Sequence, residues 1–226
     1  MKIVSYNISL SSPKKVQQLF ELDADVYVVP EIAKEEEEYL PSGYKMEWNG
    51  ISYKDSFNNT KSKGLGIIWK ETRGEILTDY DKTLKYAIPL MFDKKLILGF
   101  WPNNYETKLS YTKIAESIID KYSPLFDKSD VIITGDFNLF FKPSSANIET
   151  INEKLKAFKL KSVYHHINND IPFGNETEHT FFQKKKDTIT PFFLDYTYTN
   201  IPDIKMFGLL DFGRKFSDHV GQIIEI

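Results

Sequence analysis

Short apolar runs bounded by turn-forming residues dominate the chain, and they separate into strand-like and helix-like periods. Residues 2–7 open with Ile3-Val4 and close on Tyr6-Asn7, which predicts a strand. Ser12 as N-cap, Pro13 at the first helical position and Val16, Leu19 and Phe20 on one face predict a helix. Residues 25–29 read as a buried strand ending at Pro30-Glu31. Further strands are expected at 64–69, 86–92 and 95–100, the last two joined as a hairpin at Asp93-Lys94. Tyr111, Ile114, Ala115, Ile118 and Ile119 give helical spacing within 108–122, and Ile148, Ile151, Leu155 and Phe158 do so within 145–158. Between them, 131–134 is an apolar strand running into Gly135-Asp136-Phe137-Asn138. The last third returns to strands at 180–183, 192–199, 204–209 and 220–226. Strands mixed with helices, with hairpins late in the chain, argue for an α/β or α+β fold with mixed sheets.

Composition narrows the chemistry. The 226 residues suit one domain over 1–226 with a sizeable core. No run approaches the roughly 18 apolar residues of a membrane span, and residues 1–10 lack a signal-peptide pattern, so a cytoplasmic address and a monomer are the expectation. The absence of cysteine excludes disulfide partners and thiolate metal sites. Any metal is therefore held by oxygen or imidazole, and with only four histidines, oxygen ligands favour Mg²⁺, Mn²⁺ or Ca²⁺. A net charge of −3 and only two arginines, Arg73 and Arg214, leave no strongly basic footprint for nucleic acid. Gly64-Leu65-Gly66 has the wrong spacing for a phosphate loop and reads as structural. The run Glu35–Glu38 reads as a solvated face or helix start. Lys184-Lys185-Lys186 and the lysines at 154, 156, 159 and 161 read as solvated surface first, the triplet being the better candidate for a polyanion contact.

The informative feature is where the polar residues fall. Asn7 and Glu31 end strands, Asp136 and Asn138 follow one, Asp195 lies inside an apolar aromatic strand, and Asp218-His219 precede the last. A carboxylate there is costly to bury unless it is paired, hydrogen-bonded or metal-bound. One such residue is a cap or a turn; the whole set at strand ends suggests a shared site.

These segments resemble the endonuclease/exonuclease/phosphatase superfamily, the deoxyribonuclease-I-like fold. Ile3-Val4-Ser5-Tyr6-Asn7 is similar to its opening strand, and Ala24-Asp25-Val26-Tyr27-Val28-Val29-Pro30-Glu31 to the strand carrying its metal-binding Glu, with Pro30 in place of the usual Gln. Gly135-Asp136-Phe137-Asn138, Leu194-Asp195-Tyr196 and Ser217-Asp218-His219 match the family's GDFN, (I/L)DY and SDH motifs, in the family's order. His179-Thr180-Phe181-Phe182 resembles the strand that precedes DY.

The resemblance implies a four-layer sandwich of two mixed β-sheets flanked by helices, and a divalent-metal-dependent phosphodiester hydrolase using Mg²⁺ or Mn²⁺. It implies Glu31 as the metal carboxylate, Asn7 beside it and Asp218 as a further or water-mediated ligand. Asp136 would orient or deprotonate the attacking water, and Asn138 would hold that water or a phosphate oxygen. His219 would contact the scissile phosphate, with Asp195 on its far ring nitrogen. Phe100, Trp101, Asn103 and His179 are the substrate-side candidates. There the chain departs from the nuclease pattern, because Phe100 or Trp101 stands where a phosphate-contacting Tyr or His is common; His179 reads equally as a surface residue. His165-His166 is not expected to be catalytic. Nucleic acid is the leading substrate class, and a nuclease the leading activity. A phosphatase or phosphodiesterase on lipid, inositol-phosphate or nucleotide substrates is the enzyme alternative. A non-catalytic binding member is the other, disfavoured because Glu31, Asp136, Asn138, Asp195 and His219 are all present.

Overall fold

A computed structural model describes residues 1–143, 145 and 147–226. In chain order its strands are β1 (Lys2–Ser5), β2 (Val26–Ile32), β3 (Tyr44–Lys54), β4 (Thr60–Lys70), β5 (Gly74–Ile76), β6 (Ala87–Phe92) and β7 (Lys95–Phe100). The second half adds β8 (Asp130–Asp136), β9 (Lys161–Ser162), β10 (Phe181–Lys185), β11 (Thr188–Phe192), β12 (Asp195–Thr199), β13 (Met206–Leu210) and β14 (Gly221–Glu225). Helices are α1 (Pro13–Phe20), α2 (Tyr111–Tyr122), α3 (Ile148–Lys156) and α4 (Val163–Ile167). None among the described residues is long and apolar enough to cross a membrane.

Two mixed six-stranded sheets form, in the orders β13-β14-β1-β2-β4-β3 and β5-β6-β7-β8-β12-β9, with β10-β11 a separate hairpin. Each sheet holds one parallel pair, β1–β2 and β7–β8, among antiparallel neighbours. The sheets pack face to face through Val26, Val28, Leu65 and Ile67 from one and Ile88, Leu90, Ile97 and Ile132 from the other. On the outer face of the first sheet, α1 lays Val16 and Leu19 against Val4, Tyr27 and Val29. On the outer face of the second, α2 and α3 lay Ile114, Ile118, Ile151 and Leu155 against Leu96, Leu98 and Ile133. The expected four-layer architecture is therefore present. Strands buried on both sides explain why β2 and β8 read as continuous apolar runs instead of alternating ones.

Local signals held where side chains satisfy the backbone directly. Ser12 and Ser110 cap α1 and α2 by accepting from Lys15 N and Lys113 N. Helix α3 starts later than expected, because Asn147 forms a capping box with Thr150; Ala146, inside the expected range, lies outside the described residues. Strands β3, β5, β9 and β11 and helix α4 have no counterpart among the expected elements, β3 because its buried positions do not alternate regularly. The acidic run forms a 3₁₀ turn, Lys34–Tyr39, and Glu36 is buried instead of solvated because the turn folds it beneath Ser11.

Candidate active site

Strand direction explains why the polar residues meet. Parallel neighbours end on the same side of a sheet, so β1 and β2 deliver Asn7 and Glu31 to one edge, and β8 delivers Asp136 to the matching edge of the other sheet. Strand β12 runs antiparallel to β8 and starts where β8 ends, so Asp195 is the cross-strand partner of Asp136. Strand β14 runs antiparallel to β1, so His219 just before it enters on the same side.

The amide nitrogen of Asn7 joins the two halves. It donates to Asp136 Oδ2 at 2.9 Å and lies 3.5 Å from Glu31 Oε1. Glu31 is thrust out of its strand by a bulge: Pro30 pairs with Leu65 and Ile32 with Gly64, leaving Glu31 unpaired with φ +65°. A bulge re-aims the extra side chain, and a non-glycine residue in the left-handed region signals strain retained at a special position.

His219 lies between two carboxylates. Its Nδ1 is 2.9 Å from Asp195 Oδ2, and its Nε2 is 3.9 Å from Asp136 Oδ2. All three groups are buried. Burial works against a charged imidazole, but the carboxylates of Asp195 and Asp136 outweigh it and push His219 up to about 9. Burial pushes the Asp136 carboxyl up to about 7, with His219 pulling the other way, and raises Asp195 in the same manner.

A second layer of contacts fixes this geometry. Thr180 Oγ1 accepts from the backbone N–H groups of Leu194 and Asp195. Ser217 donates to Asn7 O at 2.6 Å and accepts from His219 N at 3.0 Å, tying the first strand to the last turn. Gln222 donates to Asp195 O and accepts from Thr197, bridging the two sheets. Gly135, at φ +152°, approaches the Phe100 carbonyl so closely that a Cβ would lie 1.8 Å from its oxygen. Thr180 stood in a quoted motif without a role, and Gln222, Lys63 and Tyr105 escaped sequence reasoning. Only the Gly64-flanked register of β4 could have hinted at Lys63.

The remaining candidates divide. Asn138, at φ +52°, donates its backbone N–H to Asp136 Oδ1 at 2.8 Å and its amide to Pro102 O at 3.1 Å, so it lies at the site. Phe100 and Trp101 do not act as substrate contacts here. Both are fully buried, Phe100 against Phe137 and Trp101 against Tyr86, because the strand end that bears them is core. Asn103 is also buried; its Oδ1 accepts from Tyr105 N, and it lines a neighbouring cavity of about 370 Å³ with Tyr86, Glu106 and Ile114. His179 packs near Phe182, and its buried Nδ1 has no hydrogen-bond partner among the described residues. His165 is a core residue between Ser162 and Glu176. Lys63 Nζ meets Glu31 Oε2 at 2.8 Å.

Two groups of side chains bear on a divalent cation. Asp136, Asp195 and His219 offer ligand atoms all within 4.8 Å of one another. Glu31 offers its carboxylate beside Asn7, whose amide nitrogen faces Glu31 while its Oδ1 accepts from Ser9 N at 3.0 Å; separately, Asp218 has a buried Oδ1 with no hydrogen-bond partner among the described residues. A buried carboxylate oxygen without a partner is one that a hard cation would satisfy.

The chain shares its fold with solved endonuclease/exonuclease/phosphatase structures, and its buried acid–histidine cluster is consistent with a metal-binding catalytic site. The chain is similar in structure to the endonuclease domain of TRAS1, a telomere-specific non-LTR retrotransposon. The TM-score is 0.67 at 13% identity, covering 100% of this chain and 97% of that one. Similarity extends to an AP endonuclease from Archaeoglobus fulgidus (TM-score 0.64, 16% identity, 100% and 99% covered). A mannosyl-6-phosphatase of Bacteroides thetaiotaomicron is similar too (0.63, 15%, 100% and 98%). No family model and no curated protein matches the sequence.

Proposed function

We propose that this protein is a divalent-metal-dependent phosphodiester hydrolase acting on nucleic acid. The observation that carries the reading is the single Asn7 amide bonded to Asp136 and reaching Glu31, with His219 held against Asp136 by Asp195. Glu31 and Asp218 would hold the cation, and Asn7 would join them through Oδ1, the oxygen that accepts from Ser9 N. The Asp136–Asp195–His219 cluster serves better as an acid–base relay, since His219 Nδ1 is already taken by Asp195. When bound, Mg²⁺ or Mn²⁺ supplies Lewis acidity and a template for in-line attack.

Asp136 Oδ2 takes the proton of the attacking water, as a carboxylate lifted towards neutral pH by burial is suited to do. Asn138 Oδ1, which receives no bond from the described residues, orients that water. His219 Nε2 presents its N–H and positive charge to a non-bridging phosphate oxygen as charge builds there. Asp195 fixes the imidazole's tautomer and keeps it charged. For the substrate class, support comes from the β10–β11 hairpin. Its base packs on the site through Phe181 against His219, and its tip carries the exposed Lys184, Lys185 and Lys186.

A second reading, hydrolysis of a small phosphoester, is favoured by the net charge of −3, which suits a compact anion better than a long polyanion. Incubation with Mg²⁺ and plasmid, single-stranded DNA, RNA and a panel of sugar, lipid and nucleotide phosphoesters separates the two. Nicking or strand cleavage, lost in Asp136→Ala, supports the first; turnover of small esters alone supports the second.

A further inference from the structure

We propose that Lys63 and Tyr105 form a phosphate grip at the mouth of the site, an inference that rests on the metal-dependent phosphoester reading. Asn7 and His219 link the carboxylates of Glu31, Asp136 and Asp195 in one cluster, three carboxylates against a single imidazole. An entering phosphate therefore needs a cationic side chain as well as a metal.

Two lysines are near enough to serve, and their hydrogen bonds distinguish them. Lys15 commits all three N–H donors to the carbonyls of Ile8, Ser9 and Leu10, at 2.6, 3.0 and 2.9 Å. Its ammonium is a loop clamp. Lys63 bonds only Glu31 Oε2, at 2.8 Å, and Tyr105 Oη, at 2.9 Å, among the described residues. Its ammonium lies over aromatic rings, 6.0 Å from the Trp101 ring centre and 5.2 Å from that of Tyr105. Tyr105 itself is 48% exposed, on the loop that Asn138 anchors through Pro102.

A cation drawing on Glu31 weakens that carboxylate's hold on Lys63. The ammonium and the Tyr105 hydroxyl, 2.9 Å apart, then offer adjacent donors for phosphate oxygens. Phe100 and Trp101, buried beneath them, supply none.

The test measures binding, using Mn²⁺ alone and inorganic phosphate in saturating Mg²⁺, by calorimetry on wild type, Lys63→Met, Lys63→Arg and Tyr105→Phe. Lys63→Met should bind Mn²⁺ severalfold more tightly and phosphate about tenfold more weakly. Lys63→Arg should retain most phosphate affinity, and Tyr105→Phe should lose a smaller part. Unchanged phosphate affinity in folded Lys63→Met, or no phosphate binding by wild type in Mg²⁺, overturns the assignment. Wild-type Mn²⁺ affinity in Glu31→Gln would instead overturn the metal reading beneath it.

Discussion

His219 Nδ1 and Asp195 Oδ2 lie 2.9 Å apart in a fully buried setting, although 24 residues separate them in the chain. The pair governs the charge at the site. Asp195→Asn should therefore lower the titration midpoint of His219, followed by NMR of the ring resonances. The sign for stability follows from the raised value. With a folded value near 9 and an ordinary value of 6.5, His219 contributes stability fully below the ordinary value, and the contribution is lost as pH rises through about 9. Wild type should lose thermal stability across that window more steeply than the Asn variant. Parallel pH profiles would contradict the pairing.

Asp136→Ala and His219→Ala should each reduce turnover by roughly 10²–10⁴, the usual range for losing an acid–base group. Circular dichroism checks that the fold survives. Wild-type turnover in well-folded Asp136→Ala would remove Asp136 from its assigned role.

Chelation should abolish activity, and Mg²⁺ or Mn²⁺ should restore it. Because a ligand that binds only the folded state stabilises it, either cation should also raise the melting temperature. Glu31→Gln should erase that rise, which differential scanning calorimetry reads without any substrate.

Gly135→Ala should destabilise the fold by about 2–4 kcal/mol, since its Cβ would meet the Phe100 carbonyl oxygen at 1.8 Å in a backbone conformation that L residues avoid. Urea unfolding gives the value. A loss below about 0.5 kcal/mol, the range of an ordinary surface change, would show that β7 and β8 part easily there.

Much of this was readable in the residue pattern. Ser12 and Pro13 announced α1, and Asp136, Asp195 and His219 stood out because charged or polar groups sat beside apolar strands. The family resemblance put Phe100 or Trp101 at a phosphate-contacting position, yet both rings are buried in the core. Glu36 is a second departure, since a run of four acidic residues gives no sign that one is folded under.

By itself the sequence determined which side chains could do chemistry and that each stands at the end of a strand, because local periodicity is written in neighbouring residues. Only the tertiary structure decided who meets whom. Asp195 faces Asp136 through the register of β8 and β12, Glu31 leaves its strand through a bulge, and Lys63 reaches Glu31 from a different strand. Register, bulge and strand direction arise from the packing of whole sheets, and a shift of one residue would turn each of these groups to the opposite face.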